Sequence, residues 1–407
     1  MKSLNEIIKD LISLRESGKQ AMTLLAVCPN SSAVLEAAVY AAAKNRSMML
    51  LAATLNQVDF EASYTGWTQA EFVNTLHEYS HKYEWTGPIY PCLDHGGPWL
   101  KDLHVLANLT YAETMQKVKT SLTACVAAGY SLLHIDPTVD RTLPGDRPIP
   151  LDLVVCRTVE LIEHAETIRV ANDLPEIAYE VGTEEVHGGL VDIQRFEAFI
   201  TLLKSELEYK HLSQCWPCLL VAQVGTDLHT TAFKPETARQ LNTIVAKLGS
   251  LVKGHYTDWV DTPEDYPASG MGAANVGPEF TAEEFLALKE LNECEKILAN
   301  HNHLSNFMRT LQDVVIESGR WKKWLLADEK GAVFADLGAE RREWLLKTGS
   351  RYIWTDSRVM EARNWLYKNL RAVGVDPHAY VLNRITSAIE KYLRAFNLVN
   401  SVDILGV

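Results

Sequence analysis

The chain has no apolar run near the ~18–20 residues that a membrane span requires, so a transmembrane protein is excluded as the first expectation. Basic residues are in the minority. The 39 Lys and Arg against 52 Asp and Glu leave a formal charge of −13, and an acidic chain repels phosphate backbones at long range, which argues against nucleic acid as a partner. Cysteine is sparse and odd in number, seven in 407 residues, so no disulfide framework is expected. The N-terminal Met1-Lys2-Ser3-Leu4-Asn5-Glu6 reads as a helix start and not as a secretory leader. Together these features predict a cytoplasmic protein. No G-x-G-x-x-G follows the first apolar run, and Gly270-x-Gly272 lacks the third glycine, which weakens a doubly wound dinucleotide-binding fold. Cys215-Trp216-Pro217-Cys218 has redox spacing, but it opens an apolar strand where a lowered thiol pKa needs a helix N-terminus. It reads as two buried thiols.

What the chain does have is an apolar content of 47% and a regular alternation of short apolar runs with helical stretches. The runs lie at 24–27, 47–54, 89–95, 131–136, 177–184, 219–226, 251–255 and 273–276. Each is nearly continuous in Val, Ile, Leu and Ala, as expected of strands covered on both faces. Between them, Thr110 with Glu113 forms a capping box, Met115, Val118, Leu122 and Cys125 follow at spacings of three and four, and Gly129 ends the helix. Further helices are read over 152–165 and 234–249, the latter with Pro235 near its start. Eight strand–helix units predict an α/β protein of the TIM (β/α)8 barrel class, occupying residues 1–300. After residue 300 only helical patterns remain, giving a helical C-terminal extension over 301–407. Its tryptophans, Trp321, Trp324, Trp344, Trp354 and Trp365, are expected to pack a core or a subunit interface.

In such a barrel the active site lies at the C-terminal ends of the strands, and those ends are polar in this chain. They supply Asn56 and Gln57, Asp94 and His95, His134 and Asp136, Glu180 and Glu184, Asp227 and His229, His255 and Asp258, and Asn275 and Gly277. Imidazoles from three strands suit a divalent ion with an open position for substrate. His95, His229 and His255 are the expected ligands, with Glu180 as a fourth ligand or a catalytic carboxylate. Zinc is the first expectation, with manganese and cobalt also open. His134 is expected to pack between barrel layers. Asp94, adjacent to His95, is the candidate base; the two share a site only if the strand end breaks, which Gly96-Gly97 would allow. Asn56, Gln57, Asp136, Glu184, Asp258, Asn275 and Gly277 are expected to contact substrate. Arg141, Arg147, Lys234, Arg351 and Arg358 are candidate phosphate anchors, though such residues are more often surface or tail ion pairs.

At these residues the chain resembles the family of the non-catalytic subunit of class II D-tagatose-1,6-bisphosphate aldolase and, more distantly, the zinc-dependent class II aldolases. The resemblance runs through Cys28 with Glu36-Ala37-Ala38, Asn56-Gln57-Val58, Tyr64-Thr65-Gly66-x-Thr68, Asp94-His95-x-Gly97-Pro98, and Ala128-Gly129-Tyr130 running into His134-Ile135-Asp136. It continues in Gly182-Thr183-Glu184, Gly188-Gly189, His255-x-Thr257-Asp258, Val276-Gly277-Pro278, and the tail blocks Trp321-Lys322-Lys323, Arg351-Tyr352-x-Trp354 and Leu393-Arg394-Ala395-Phe396. It implies proton transfer by Asp94 and metal binding by His95 and His255. Three departures stand out: Gly225-Thr226-x-x-His229 is one residue longer than the aldolase pattern, Glu184-Glu185-Val186-His187 replaces the usual prolines, and Tyr256-Thr257-Asp258-Trp259 stands where aldolases carry a glycine-rich phosphate loop.

The chemistry implied by the resemblance is metal-dependent retro-aldol cleavage of a ketohexose or its phosphate. If the aldehyde stays and recondenses on its other face, the outcome is epimerisation at C4, interconverting fructose and tagatose forms. That is the first reading. The alternatives are a non-catalytic subunit stabilising a separate aldolase catalytic subunit, and an aldolase in its own right. A homo-oligomer is compatible with each.

Overall fold

A computed structural model describes residues 2–143, 149–182, 192–227, 232–298 and 303–407. Eight parallel strands close into one barrel in sequence order: β1 (Leu24–Val27), β2 (Met49–Thr54), β3 (Ile89–Gly96), β4 (Leu132–Ile135), β5 (Ala178–Gly182), β6 (Leu219–Val221), β7 (Leu251–Gly254) and β8 (Ala273–Val276). The barrel closes where Leu24–Val27 pair in register with Ala273–Val276. All eight strands fall within the apolar runs read from the sequence, apart from the extra Gly96 of β3.

Helix boundaries follow the local chemistry. The helix Tyr111–Ala127 is capped by Thr110, which accepts from the Glu113 N–H while the Glu113 carboxylate accepts from the Thr110 N–H. The helix after β6 runs Pro235–Ala246, with proline in its first turn, where the missing N–H has no partner to lose. After β7 only a four-residue helix, Asp265–Ala268, precedes β8. A long helix, Pro278–Leu298, follows β8.

The C-terminal residues form helices Phe307–Ser318, Ala339–Gly349, Ser357–Ala372, Pro377–Ala395 and Ser401–Leu405, with three 3-10 turns between the first two and one between the second and third. The helix Pro377–Ala395 packs against both Pro278–Leu298 and Ser32–Asn45, and its buried stripe of Val381, Ile385, Ile389, Tyr392 and Leu393 is continuous with the barrel's outer core. Polar contacts pin it at both ends of the barrel. Tyr392 Oη donates to Glu279 near the strand C-termini, and the Thr23 N–H donates to Phe396 O at 3.2 Å ahead of β1. Trp321 and Trp354 are buried, as expected, whereas Trp365 is 44% exposed. Trp324 packs against the core as well, and in addition lines the cavity at the barrel mouth. Among the described residues, no helix is long and apolar enough to cross a membrane. Cys215 and Cys218 are both free and buried, and burial raises both thiols above their ordinary range, so neither carries a reactive thiolate.

Candidate active site

The end of β3 organises the site. His95 adopts φ 50°, left-handed for a residue that has a side chain, and the β3–β4 register shifts between Leu93 and Gly96. The expected break is therefore present, but the left-handed residue is His95 itself. The glycines serve a different purpose: a Cβ on Gly97 would lie 1.7 Å from Asp136 O, and one on Gly96 would lie 2.9 Å from His134 O. Close approach of β3 to β4 is what requires them. With the strand turned at this point, Asp94 and His95 face the same space.

Asp94, His95, His134 and His255 present ligand atoms that all lie within 4.8 Å of one another. His95 Nδ1 is 2.6 Å from Asp136 Oδ2, a contact that fixes the ring and leaves Nε2 directed at the cluster, 3.9 Å from Asp94 Oδ2. His255 Nε2 lies 3.7 Å from Asp94 Oδ1 and 3.6 Å from Glu180 Oε1. His134 Nδ1 lies 3.2 Å from Asp94 Oδ1 and 3.1 Å from the His95 N–H. One nitrogen cannot donate to the carboxylate and accept from the amide at once, so only one of these two contacts is a hydrogen bond in any tautomer.

His134 is the residue that the sequence reading misplaced. Its position was legible, because Asp136 two residues on points inward and strand parity carries His134 to the same face. A second missed residue is Lys253. Fully buried on β7, its Nζ reaches the Glu180 carboxylate at 2.9 and 2.7 Å and lies 3.9 Å from Asp94 Oδ1. Glu180 is thus turned to a cation on the barrel axis.

Charge on this floor is fixed by mutual pairing. Burial raises the Asp94 carboxyl, but His95 and Lys253 outweigh it and hold the group well below the usual carboxylate range. Burial lowers the His95 imidazole, yet Asp94 and the Asp136 contact leave it raised. Burial likewise works against the Lys253 ammonium, and Glu180 and Asp94 reverse it.

The fit to a divalent ion is testable on the residues present. Three imidazoles and one carboxylate are a borderline-soft donor set that suits zinc, cobalt or manganese. His134 Nε2 and Asn275 Oδ1 are buried with no hydrogen-bond partner among the described residues, and such atoms are costly to leave unsatisfied. The donor set fits.

The other expected residues are placed in different ways. Asn275 Nδ2 donates to Asp94 Oδ2 at 3.0 Å and orients the carboxylate. Asp136 stands behind His95, not against the cavity. Asn56 and Gln57 line the cavity, but their amides are committed: Asn56 donates to Leu100 O and accepts from the Asp102 N–H, and Gln57 accepts from the Thr54 N–H. The N–H of Gly277, expected to contact substrate, is taken by Asp258 Oδ1 at 3.0 Å, which also accepts from the Glu279 N–H at 2.7 Å. Glu184, His187 and His229 lie outside the described residues, as does Arg147. Of the remaining candidate anchors, Arg351 lines the cavity, Arg358 pairs with Glu317 and Asp356 at the surface, Arg141 donates to Val105 O, and Lys234 is exposed at the start of the helix Pro235–Ala246.

Asp258 carries a pH signature. Burial, with Glu279 nearby, raises its carboxyl to about 7 against the pull of the two backbone N–H groups. Below the unfolded value of about 3.9 the group is protonated in both states. As pH rises towards 7 the unfolded chain ionises first, so stability falls by at most about 1.4 kcal/mol per unit over that window. Asp258→Asn, neutral throughout, is expected to lack this component. Urea unfolding of both proteins at pH 5 and pH 8 checks it, and identical pH dependence would count against the assignment.

Above the floor is a cavity of about 200 Å³. Its inner wall comes from the strand ends, and its mouth from Arg320, Lys323, Trp324, Arg351 and Tyr352 of the C-terminal region.

Comparison with known proteins bears on this arrangement. A family model described as D-tagatose-1,6-bisphosphate aldolase subunit GatZ/KbaZ-like matches residues 8–395. A probable tagatose 6 phosphate kinase from Sinorhizobium meliloti 1021 superposes with a TM-score of 0.77 at 20% identity, covering 92% of this chain and 100% of that one. A fructose-bisphosphate aldolase from Campylobacter jejuni gives 0.56 at 12% identity, covering 98% and 96%. A putative fructose-1,6-biphosphate aldolase from Coccidioides immitis gives 0.51 at 14% identity, with 98% of each chain covered. At these identities the structural likeness speaks for the fold.

Proposed function

The chain belongs to the D-tagatose-1,6-bisphosphate aldolase subunit GatZ/KbaZ-like family, and from that premise we propose that it is a divalent-metal enzyme of ketohexose or ketohexose phosphate metabolism, epimerising its substrate at C4. The observation that carries the reading is the convergence of Asp94, His95, His134 and His255 at one end of the barrel. The aldolase-related family description supports the substrate class.

In this mechanism His95, His134 and His255 would hold a divalent ion, with zinc first among the candidates and His229 a further ligand candidate. A bound divalent ion supplies Lewis-acid polarisation of the ketose carbonyl. Asp94, ionised at neutral pH, takes the proton from the C4 hydroxyl while the C3–C4 bond breaks. Asn275 keeps the Asp94 carboxylate aimed, and its free amide oxygen can accept from a substrate hydroxyl. Asp136 fixes the His95 ring so that Nε2 stays directed at the cluster. The narrow cavity retains the aldehyde, which turns and recondenses on its other face as Asp94 returns the proton. Lys253 and Glu180 set the field beneath the reacting carbons.

The test is elemental analysis of wild type and His95→Ala, with both assayed for conversion of fructose 6-phosphate to tagatose 6-phosphate. Near-stoichiometric metal and turnover in wild type, both lost in the variant, are expected. Release of a three-carbon aldehyde would redirect the reading to an aldolase. The family description favours one second reading, a stabilising subunit beside a separate aldolase catalytic subunit. A metal-free, inactive wild type that refuses added zinc or manganese would sink the enzyme reading and favour the stabilising subunit.

A further inference from the structure

Three cations meet at the cavity mouth, and among the described residues Asp102 is the one carboxylate that forms an ion pair with any of them. Arg320 Nη2 and Lys323 Nζ both bind Asp102, at 2.7 and 3.0 Å. Among the described residues, Arg351 makes no hydrogen bond to a carboxylate. Its Nε donates to Thr348 O at 2.9 Å, while Nη2 is buried without a hydrogen-bond partner among the described residues. The side chain is only 8% exposed, and it lines the same cavity as the metal-capable floor. Its guanidinium lies 4.9 Å from the Trp324 ring centre and 5.6 Å from that of Tyr352, whose ring also takes Arg320 at 4.4 Å. Two guanidinium groups thus share one aromatic ring.

Such an arrangement is costly on its own. A buried guanidinium N–H without an acceptor forfeits its hydration, and two like charges against one ring repel. In a chain with a net charge of −13, a local excess of cations at a cavity mouth points to an anion that enters with the ligand. Guanidinium forks match the tetrahedral oxygens of a phosphate, and two of them with an ammonium suit its double charge. Among the described cavity residues, Arg320, Lys323 and Arg351 are the Lys and Arg side chains, and all three sit at the mouth.

We propose that Arg351, Arg320 and Lys323, all supplied by the C-terminal region, form the subsite for the terminal phosphate of an open-chain phosphoketose whose carbonyl end faces the histidine cluster. The assignment rests on the enzyme reading above for the orientation of the sugar, though not for the binding of the anion. It places phosphate recognition outside the strand β7 loop. It also commits the protein to phosphorylated ketoses over free ones.

The experiment is calorimetric titration of the intact protein with three unreactive probes: D-glucitol 6-phosphate, D-glucitol and D-gluconate. Wild type is expected to bind the phosphate at least ~100-fold more tightly than the free hexitol, the scale of two charge-assisted hydrogen bonds. Arg351→Gln should reduce that preference by about tenfold or more. The pair Arg320→Gln and Lys323→Gln, at the part-exposed rim, should reduce it as well, which covers the case in which Arg351→Gln fails to fold. Equal binding of hexitol and hexitol phosphate by wild type would overturn the subsite, as would a preference that survives in the folded variants. Gluconate binding as tightly as the phosphate would overturn the commitment to phosphate in favour of a terminal carboxylate. The two readings fail separately. A phosphate preference lost in the variants, without turnover of fructose 6-phosphate, keeps the subsite and sinks the epimerase; turnover of free fructose as fast as its phosphate does the reverse.

Discussion

Lys253→Met is expected to destabilise the protein by ~3–5 kcal/mol, the cost of leaving a buried charge without its partner. The ammonium is fully enclosed, with both Glu180 oxygens within hydrogen-bond distance. Methionine fills the volume but leaves the Glu180 carboxylate on the barrel axis near Asp94, and the two negative charges then repel. Adding Glu180→Gln removes one of those charges, so the double variant should recover most of the loss. A double-variant cycle by urea denaturation measures the coupling, with metal removed from every sample. If the single and double variants unfold at the same midpoint, the pair contributes nothing beyond packing. Replacing both residues together should be far less costly than replacing one, which would separate this pair from the surface ion pairs of the chain, such as Arg46 with Asp403, where ~0–1 kcal/mol is the ordinary scale.

Asp94→Asn carries the second large effect. On the proposed mechanism it should lower turnover by ~10²–10⁴-fold, the usual range for removing a general base. The asparagine can still accept from Asn275, and three imidazoles remain to hold the ion, so metal content should stay near that of wild type. His95→Ala, by contrast, is expected to lose both. The split between the two variants is the informative outcome. An Asp94→Asn protein that keeps more than a tenth of wild-type turnover would remove Asp94 from the proton-transfer step.

Much of the fold was legible because barrel strands covered on both faces leave a plain apolar signal, and because caps such as Thr110 with Glu113 mark helix starts locally. The candidate site was legible where chemistry sits at a strand end, as at Asp94, His95 and His255. It was less so where a polar residue sits within an apolar run. Lys253 in Leu251-Val252-Lys253-Gly254 and Glu180 in Ala178-Tyr179-Glu180-Val181 each look anomalous alone. A lone buried charge of either sign would be untenable, so each implied a partner of opposite charge; only the register of the closed barrel shows that each is the other's. His134 was misassigned by reading it singly instead of through the parity it shares with Asp136. Apart from Arg351, read as a candidate phosphate anchor, the mouth was illegible for a different reason. Nothing local to residues 320–352 says that they fold over the strand ends, since their position depends on how distant helices pack.

That division of labour has a consequence for how the protein can change over evolutionary time. The reactive floor is encoded by strand ends spread from residue 94 to residue 275, and most of the rim by a stretch of about thirty residues beyond the barrel. The two are separately mutable. Drift within the rim can retune which molecules are admitted while the floor keeps its chemistry, so descendants of this architecture can acquire new diets without first reinventing a reaction.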